Sequence, residues 1–231
     1  MAEAFEGFST DFFAFFRELK AHNERTWFEA NKHRFRDSVQ GPMSSFIAAM
    51  GPHLRRISKH FNADPRPNGG SMFRIYRDVR FSKDKRPYKE HAACHFRHVF
   101  GKNVHAPGFY MHFAPDAVFF GGGLWMPEAD PLAKVRGAIA ERPSGWRKAT
   151  QDGSFQQRFG GVKGEGLTRP PRGFDPEHPL IDDIKRKSFY AMQEVKPSLA
   201  QSPKLVDEAT AAFRTLTPLM RFLCDALEVP F

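Results

Sequence analysis

The chain has 231 residues, of which 41% are hydrophobic, so it can bury a core and does not have the composition of a disordered protein. Its formal net charge is +9 and it contains only two cysteines, which excludes a disulfide-stabilised scaffold. The N-terminus lacks the basic residues of a signal peptide, and no run of about 18 uncharged apolar residues occurs, so we expect a cytoplasmic protein without a membrane partner.

The first quarter of the chain predicts a layer of helices. Residues 9–20 carry a wide apolar stripe after Ser9 or Thr10, either of which can cap the helix. Asn23 is expected to cap a second helix that ends near residue 35. A third is predicted to begin at Pro42, whose fixed φ suits a first helical turn, and to end near residue 57.

After a loop predicted at 62–71, the apolar period changes from 3.6 to 2 residues, which is typical of strands. Strands are predicted at 72–78, 92–98, 108–113, 117–120 and 188–195. Residues 114–116 suit a tight turn, so the third and fourth strands should form an antiparallel hairpin. Helices are predicted at 131–141, 145–150 and 204–227, and a long Gly- and Pro-rich loop at 151–180.

These elements predict an α+β fold. The N-terminal helical layer should pack on one face of a mostly antiparallel sheet, and a long C-terminal helix should complete the fold. We expect one domain over 1–231. Its helical layer would span about 9–60, its sheet and basic motif about 68–127, and its remaining helices and long loop about 128–231.

The positive charge is concentrated in one stretch. Residues 51–105 contain 13 basic and 4 acidic residues, whereas the rest of the chain contains 22 of each. The same stretch holds six of the ten histidines. A localised excess of this kind attracts anions.

The centre of this stretch is the segment 74–91, which reads RIYRDVRFSKDKRPYKEH. Its pattern, Arg74-x-x-Arg77-Asp78-x-Arg80-Phe81-x-x-x-Lys85-x-x-Tyr88, resembles the signature of the DUF2461 family. Further segments that resemble the family lie at 69–73, 107–110, 122–127, 169–174 and 182–187. The resemblance covers nearly the whole chain. It implies no activity, because the family is uncharacterised.

Strand alternation predicts where the side chains of this region point. It places Arg74, Tyr76 and Asp78 on one face of a strand, and Phe73 and Ile75 on the other. The two following strands show the same division into an apolar and a polar face. If the three are neighbours, the polar face gathers a floor of Arg74, Tyr76, His95, Arg97, Tyr110 and His112.

The leading hypothesis from the sequence is a pocket for a small anionic ligand that carries phosphate or carboxylate, because guanidinium groups bind both in bidentate geometry. The candidate ligand-binding residues are Arg74, Tyr76, Arg77, Arg80, Lys85, Tyr88, Arg97, Tyr110, His112 and Trp125. Asp78 or His95 would transfer a proton if the site is catalytic. The sequence leaves open whether the protein is an enzyme and whether it uses a cofactor.

Two alternatives stay open. The basic stretch, with its interleaved aromatic residues, is also typical of a nucleic-acid-binding module with a sheet face that stacks bases. Alternatively, Arg77, Arg80 and Lys85 pair with neighbouring acidic residues and brace a loop. No metal site is predicted, because the histidine spacing is poor, and Cys94 is expected to be a buried small hydrophobic residue.

Overall fold

The N-terminal quarter folds into helices, as its apolar period predicts. This computed structural model describes residues 5–101 and 106–231. Helix α1 (Thr10–Ala21) is capped by Ser9, whose hydroxyl accepts a hydrogen bond from Phe12 N. The elements that follow are α2 (Arg25–Ala30), the single turn α3 (Lys32–Arg34), a π-helical segment (Phe35–Gln40) and α4 (Gly41–Ile57). Pro42 lies in the first turn of α4, directly after the π-helical segment.

Four strands form one antiparallel sheet. They are β1 (Ala92–Arg97), β2 (Gly108–Phe113), β3 (Val118–Leu124) and β4 (Phe189–Val195). Their order in the sheet is the order in the sequence, and β2 and β3 form the predicted hairpin. The register places Cys94 opposite Met111, which lies opposite Phe120 on β3.

One face of the sheet packs against the helices and forms one side of the hydrophobic core. Its buried side chains include Cys94, Phe96, Phe109, Met111, Phe113 and Phe120. From the helical layer, Phe8 and Phe46 pack on Phe113 with ring centroids 4.9 and 5.6 Å apart. From the C-terminal region, Phe213 stacks on Phe109 at 4.4 Å. Edge and stacked contacts of this kind add to the free energy of apolar burial.

The remaining helices pack around the sheet. They are α5 (Ala129–Glu141), α6 (Pro143–Thr150), α7 (Gly153–Phe159), α8 (Ile181–Ile184), α9 (Pro197–Ala200), α10 (Leu205–Thr215) and α11 (Thr217–Ala226). The predicted α+β class is confirmed. The predicted C-terminal helix is divided at Leu216, two residues before Pro218, which cannot donate a backbone hydrogen bond. Over residues 5–101 and 106–231, every helix is too short or too polar to span a bilayer.

Two predicted elements were wrong. Residues 72–78 do not form a strand: Met72 bridges Cys94, and the chain then turns away from β1, so that Tyr76 bridges Tyr88 instead. Residues 151–180 are not a continuous loop, because they contain α7. Asp152 caps this helix with hydrogen bonds to two backbone N–H groups, and Gly160 ends it at a φ of 67°.

Candidate functional site

The second face of the sheet also carries rings, but these include three histidines and a tyrosine. Across β1, β2 and β3 the register aligns His95 with Tyr110, and His112 with Phe119. Phe73, beside β1, and His91, just before it, reach the same face. All six side chains are half-buried. We call this set the aromatic face: Phe73, His91, His95, Tyr110, His112 and Phe119.

The six rings are in contact with one another. Phe73 lies parallel to His95 with centroids 6.3 Å apart, and Tyr110 lies 6.0 Å from both Phe73 and Phe119. His112 stacks on Phe119 at 4.4 Å, with 9° between the ring planes. His91 continues the row, 4.1 Å from His112. The result is a continuous ring surface over the first three strands.

Glycine on the central strands keeps this surface close to the backbone. The ring of His95 lies over Gly108, because a Cβ there would come within 2.1 Å of His95 Nε2. On β3, a Cβ at Gly121 would approach Ala191 O to 1.9 Å. Close approach of a neighbouring ring or backbone is a recurrent reason for glycine in a strand.

The histidines of the aromatic face are neutral at pH 7. Burial lowers the pKa of His91, His95 and His112 to about 4 in each case. Burial also raises the pKa of Tyr110 to about 12, and its hydroxyl is 3.1 Å from His112 Nδ1. The face therefore offers uncharged rings. A pKa this low makes His95 a weak base for the proton transfer considered above.

Positive charge lies at the edge of the aromatic face. Lys89 Nζ is 5.2 Å from the centroid of Phe73 and donates a hydrogen bond to Arg74 O at 2.9 Å. Burial, and then the charge of Arg74, lower the pKa of Lys89. Arg97 stands on β1 and points to this face. Among the residues that the structure describes, Arg74 and Arg97 form no ion pair.

Most of the other cations of the basic motif are paired with carboxylates of the same motif. Arg77 bonds Asp84 at 2.7 Å, and Arg86 bonds both Asp84 and Glu90. Arg80 bonds Asp78 at 2.7 Å on an exposed loop, and Lys85 donates to Val79 O. Hydrogen bonds from Arg86 and then Arg77 hold the pKa of Asp84 well below its usual range. For Arg77 and Arg80 this arrangement is that of the ion-paired brace considered as an alternative, whereas Lys85 bonds a backbone carbonyl and not a carboxylate.

Tyr76 and Tyr88 lie away from the aromatic face, so the predicted six-residue floor is wrong at Tyr76. Because residues 72–78 leave the sheet edge after Phe73, Tyr76 turns toward the helical layer and Phe73 turns toward His95. Tyr88 is buried and stacks on Phe28 at 4.2 Å. A shallow cleft of about 280 Å³ runs beside them, lined by Arg25, Glu29, Tyr76, Arg77, Val79, Pro87 and Tyr88.

The prediction that Asn23 caps the second helix was wrong, because Glu24 lies at the N-cap of α2. Asn23 Nδ2 donates to Tyr88 O at 3.1 Å and to Glu90 Oε1 at 3.0 Å, and Asn23 Oδ1 accepts from Tyr88 N at 3.1 Å. Asn23 thus fixes the C-terminal end of the basic motif to the helical layer. No local signal in the sequence indicates a contact that spans 65 residues.

Trp125 lies at the far corner of the same sheet face. Its side chain is 64% exposed, and its ring lies 4.9 Å from Tyr190 on β4. The chain turns sharply there, since Met126 has a φ of 41° and donates its N–H to Ser188 Oγ at 2.8 Å. Trp125 and Tyr190 therefore add a second, more exposed pair of rings beyond the aromatic face.

The described residues contain no group of three side chains that could hold a metal ion. His98 points away from His95 and bonds Pro230 O at 2.7 Å, whereas His105, one of the clustered histidines, lies outside the described residues. Both cysteines are free and buried, and burial raises the pKa of the Cys94 thiol far above its usual range. Neither thiol is placed to act as a nucleophile.

Comparison with known proteins identifies a family and no activity. The DUF2461 family, described as a conserved hypothetical protein, matches residues 11–222. No curated protein and no solved structure matches the chain. The match covers α1 and every later helix and strand up to the last turn of α11, including the aromatic face and the basic motif.

Proposed function

The chain belongs to the DUF2461 family, whose description assigns no activity, and we propose from the geometry of its sheet that it binds single-stranded nucleic acid. Bases would stack on the aromatic face, and phosphates would contact Arg74, Lys89 and Arg97 at its edge. The observation that carries the proposal is the continuous surface of six neutral, half-buried rings beside two arginines that have no ion pair among the described residues.

The size of the surface suits a short piece of strand. Three strands at about 4.8 Å spacing make the aromatic face roughly 10 Å wide, which accommodates two or three stacked nucleotides. Stacking on aromatic side chains contributes about 1–3 kcal/mol per base and tolerates any sequence. A duplex hides its base faces, so we expect single strands to bind in preference to duplexes.

The geometry supports this function better than an anion pocket in the basic motif. Arg77, Arg80 and Arg86 already bond to Asp84, Asp78 and Glu90, so a phosphate would have to displace those carboxylates. Arg77 and Arg86 converge on one point, but the carboxylate of Asp84 already occupies it, and Arg80 bonds Asp78 elsewhere on the loop. The neutral rings of the aromatic face favour a planar ligand over a bare anion.

Binding of a fluorescent single-stranded 12-mer, measured by anisotropy at several salt concentrations, tests the proposal. Phe119→Leu removes a ring but keeps an apolar side chain, and we expect it to weaken binding about 5- to 100-fold, as the loss of one stacked base predicts. Arg97→Gln should weaken binding and reduce the slope of log affinity against log salt by about 0.7, the value for one phosphate contact on a single strand.

Lys148→Gln is the matched control for Arg97→Gln. Lys148 is exposed on α6, a helix that packs against α11 away from the aromatic face. Its replacement removes one positive charge, as Arg97→Gln does, so the two variants have the same net charge. Thermal melting establishes that each variant is folded. Equal binding by wild type and Phe119→Leu, or an equal loss in Arg97→Gln and Lys148→Gln, would rule out the aromatic face as the binding surface.

A further inference from the structure

A cleft of about 520 Å³ opens at one end of the aromatic face. Helix α1 forms one wall, with Arg17 and Lys20, and the turn between β2 and β3 forms the other. His91 and His112 also line it. Its full lining is Arg17, Lys20, Glu90, His91, His112, Ala114, Pro115, Asp116 and Ala117. We call it the histidine cleft.

The positive charges in the histidine cleft are more available than the negative ones. Arg17 is exposed and forms no ion pair among the described residues. Lys20 meets Asp116 at 3.4 Å, but their side chains are 58% and 71% exposed, so this pair is weak and easily exchanged. Glu90 is held by Arg86 at 2.5 Å and by Asn23 at 3.0 Å, so its charge is already matched outside the cleft.

Each of the two histidines that line the cleft has a ring N–H that can donate a hydrogen bond. Their rings lie 4.1 Å apart and are neutral at pH 7, so each presents one N–H donor. His112 Nδ1 faces the Tyr110 hydroxyl at 3.1 Å, which helps to fix its ring. Two cations and two rings with an N–H group line the same cleft, and together they form a set of donors suited to the several oxygens of a phosphate group.

His112 belongs to both surfaces, since it stacks on Phe119 at 4.4 Å and lines the cleft. A ligand that lies on the aromatic face therefore reaches the cleft at its end. From this arrangement we infer that the histidine cleft is a subsite for a phosphate monoester, bound by Arg17, Lys20, His91 and His112. The group comes from a free phosphate ester or, if the function proposed above holds, from the phosphorylated end of the bound strand.

Three probes separate these sources when titrated into the full chain: inorganic phosphate, a 6-mer with hydroxyl groups at both ends, and the same 6-mer phosphorylated at the 5′ or the 3′ end. We expect heat of binding with inorganic phosphate by calorimetry. We also expect at least one phosphorylated 6-mer to bind about 10-fold more tightly than the hydroxyl form. Arg17→Gln should reduce that ratio to near 1, whereas Lys148→Gln should leave it unchanged.

The outcomes distinguish failure of the subsite from failure of the proposed function. If the hydroxyl 6-mer binds but phosphorylation at either end adds nothing, and phosphate gives no heat, the subsite inference is overturned and the aromatic face stands. If phosphate binds with a dependence on Arg17 while no 6-mer binds, the subsite is a site for a small phosphate ester and the proposed function fails. A phosphate response that Arg17→Gln and Lys148→Gln reduce equally also overturns the subsite.

Discussion

One amide side chain connects the basic motif to the rest of the molecule. Asn23 satisfies both backbone groups of Tyr88 and also bonds Glu90. Tyr88 is buried, so its N–H and C=O would find no water if Asn23 were removed. Sequence reasoning placed Asn23 at a helix cap, the commonest local role of asparagine, because a partner 65 residues away leaves no mark on the neighbouring residues.

Asn23→Ala should therefore be destabilising beyond the loss of one ordinary hydrogen bond. Leaving buried polar groups without partners costs about 1–3 kcal/mol, and we expect a loss of that size in urea denaturation. Asn31→Ala is the control, because the side chain of Asn31, at the C-terminal end of α2, makes a single hydrogen bond, to Trp27 O. The assigned role of Asn23 fails if the two variants lose the same stability.

At the scale of the elements, alternation and apolar period predicted β1, β2, β4 and the helical layer. Alternation predicted a strand wrongly at 72–78. These residues alternate as in a strand, but of their backbone N–H groups only that of Phe73 donates to β1, at Ala93 O. Beyond that point Arg77 N bonds Pro87 O instead, and this choice of partner is not local. Helix α7 was missed because its short apolar stretch lies within a Gly- and Pro-rich region.

The residues of the candidate site, like the elements of the fold, were predicted only in part. His95, Tyr110 and His112 come together as alternation on neighbouring strands predicts. Phe119 and Phe73 were missed as members of the aromatic face. An isolated phenylalanine in a strand is ordinarily part of the core, and this chain has 25 of them.

The glycines of β3 allow a prediction about the sheet itself. Gly123 has a φ of 140°, and a Cβ there would approach Phe189 O to 2.2 Å, so Gly123→Ala must strain the pairing of β3 with β4. We expect a loss of about 2 kcal/mol or more in urea denaturation. Gly137→Ala, in the interior of α5 where a Cβ meets nothing within 4 Å, should instead gain about 0.5–1 kcal/mol. A tolerated alanine at 123 would contradict the close pairing of these strands.

At the scale of the whole molecule, the charge excess of residues 51–105 divides into two parts. All four acidic residues of the stretch bond an arginine of the same stretch: Asp64 bonds Arg66, Asp78 bonds Arg80, Asp84 bonds Arg77 and Arg86, and Glu90 bonds Arg86. These pairs are mostly exposed and contribute little stability. Among the basic residues that do not pair with these acids, Arg74, Lys89 and Arg97 lie beside the aromatic face. The local charge therefore both orders the motif and places cations next to the rings.

The neutral histidines of the aromatic face make stability depend on pH. In the unfolded chain a histidine takes up a proton near pH 6.5, whereas His91, His95 and His112 do so only near pH 4 when folded. Between these values the unfolded state binds more protons, so the free energy of unfolding falls as pH falls. Stability is fully present above about pH 6.5, and each histidine removes up to about 1.4 kcal/mol per pH unit below it.

The charged groups beside the three histidines do not reverse this fall of stability with falling pH. Lys89 beside His91 and Arg97 beside His95 lower the pKa further, and only Asp116 beside His112 opposes it. With a discount for partial exposure, we expect a loss of roughly 3 kcal/mol between pH 7.5 and pH 5 in urea denaturation. The double variant His91→Gln/His112→Gln should lose about half as much over the same range, because His95 and the buried His98 still titrate. An unchanged slope in that variant would show that these two rings are not desolvated, which contradicts their place in a half-buried ring surface.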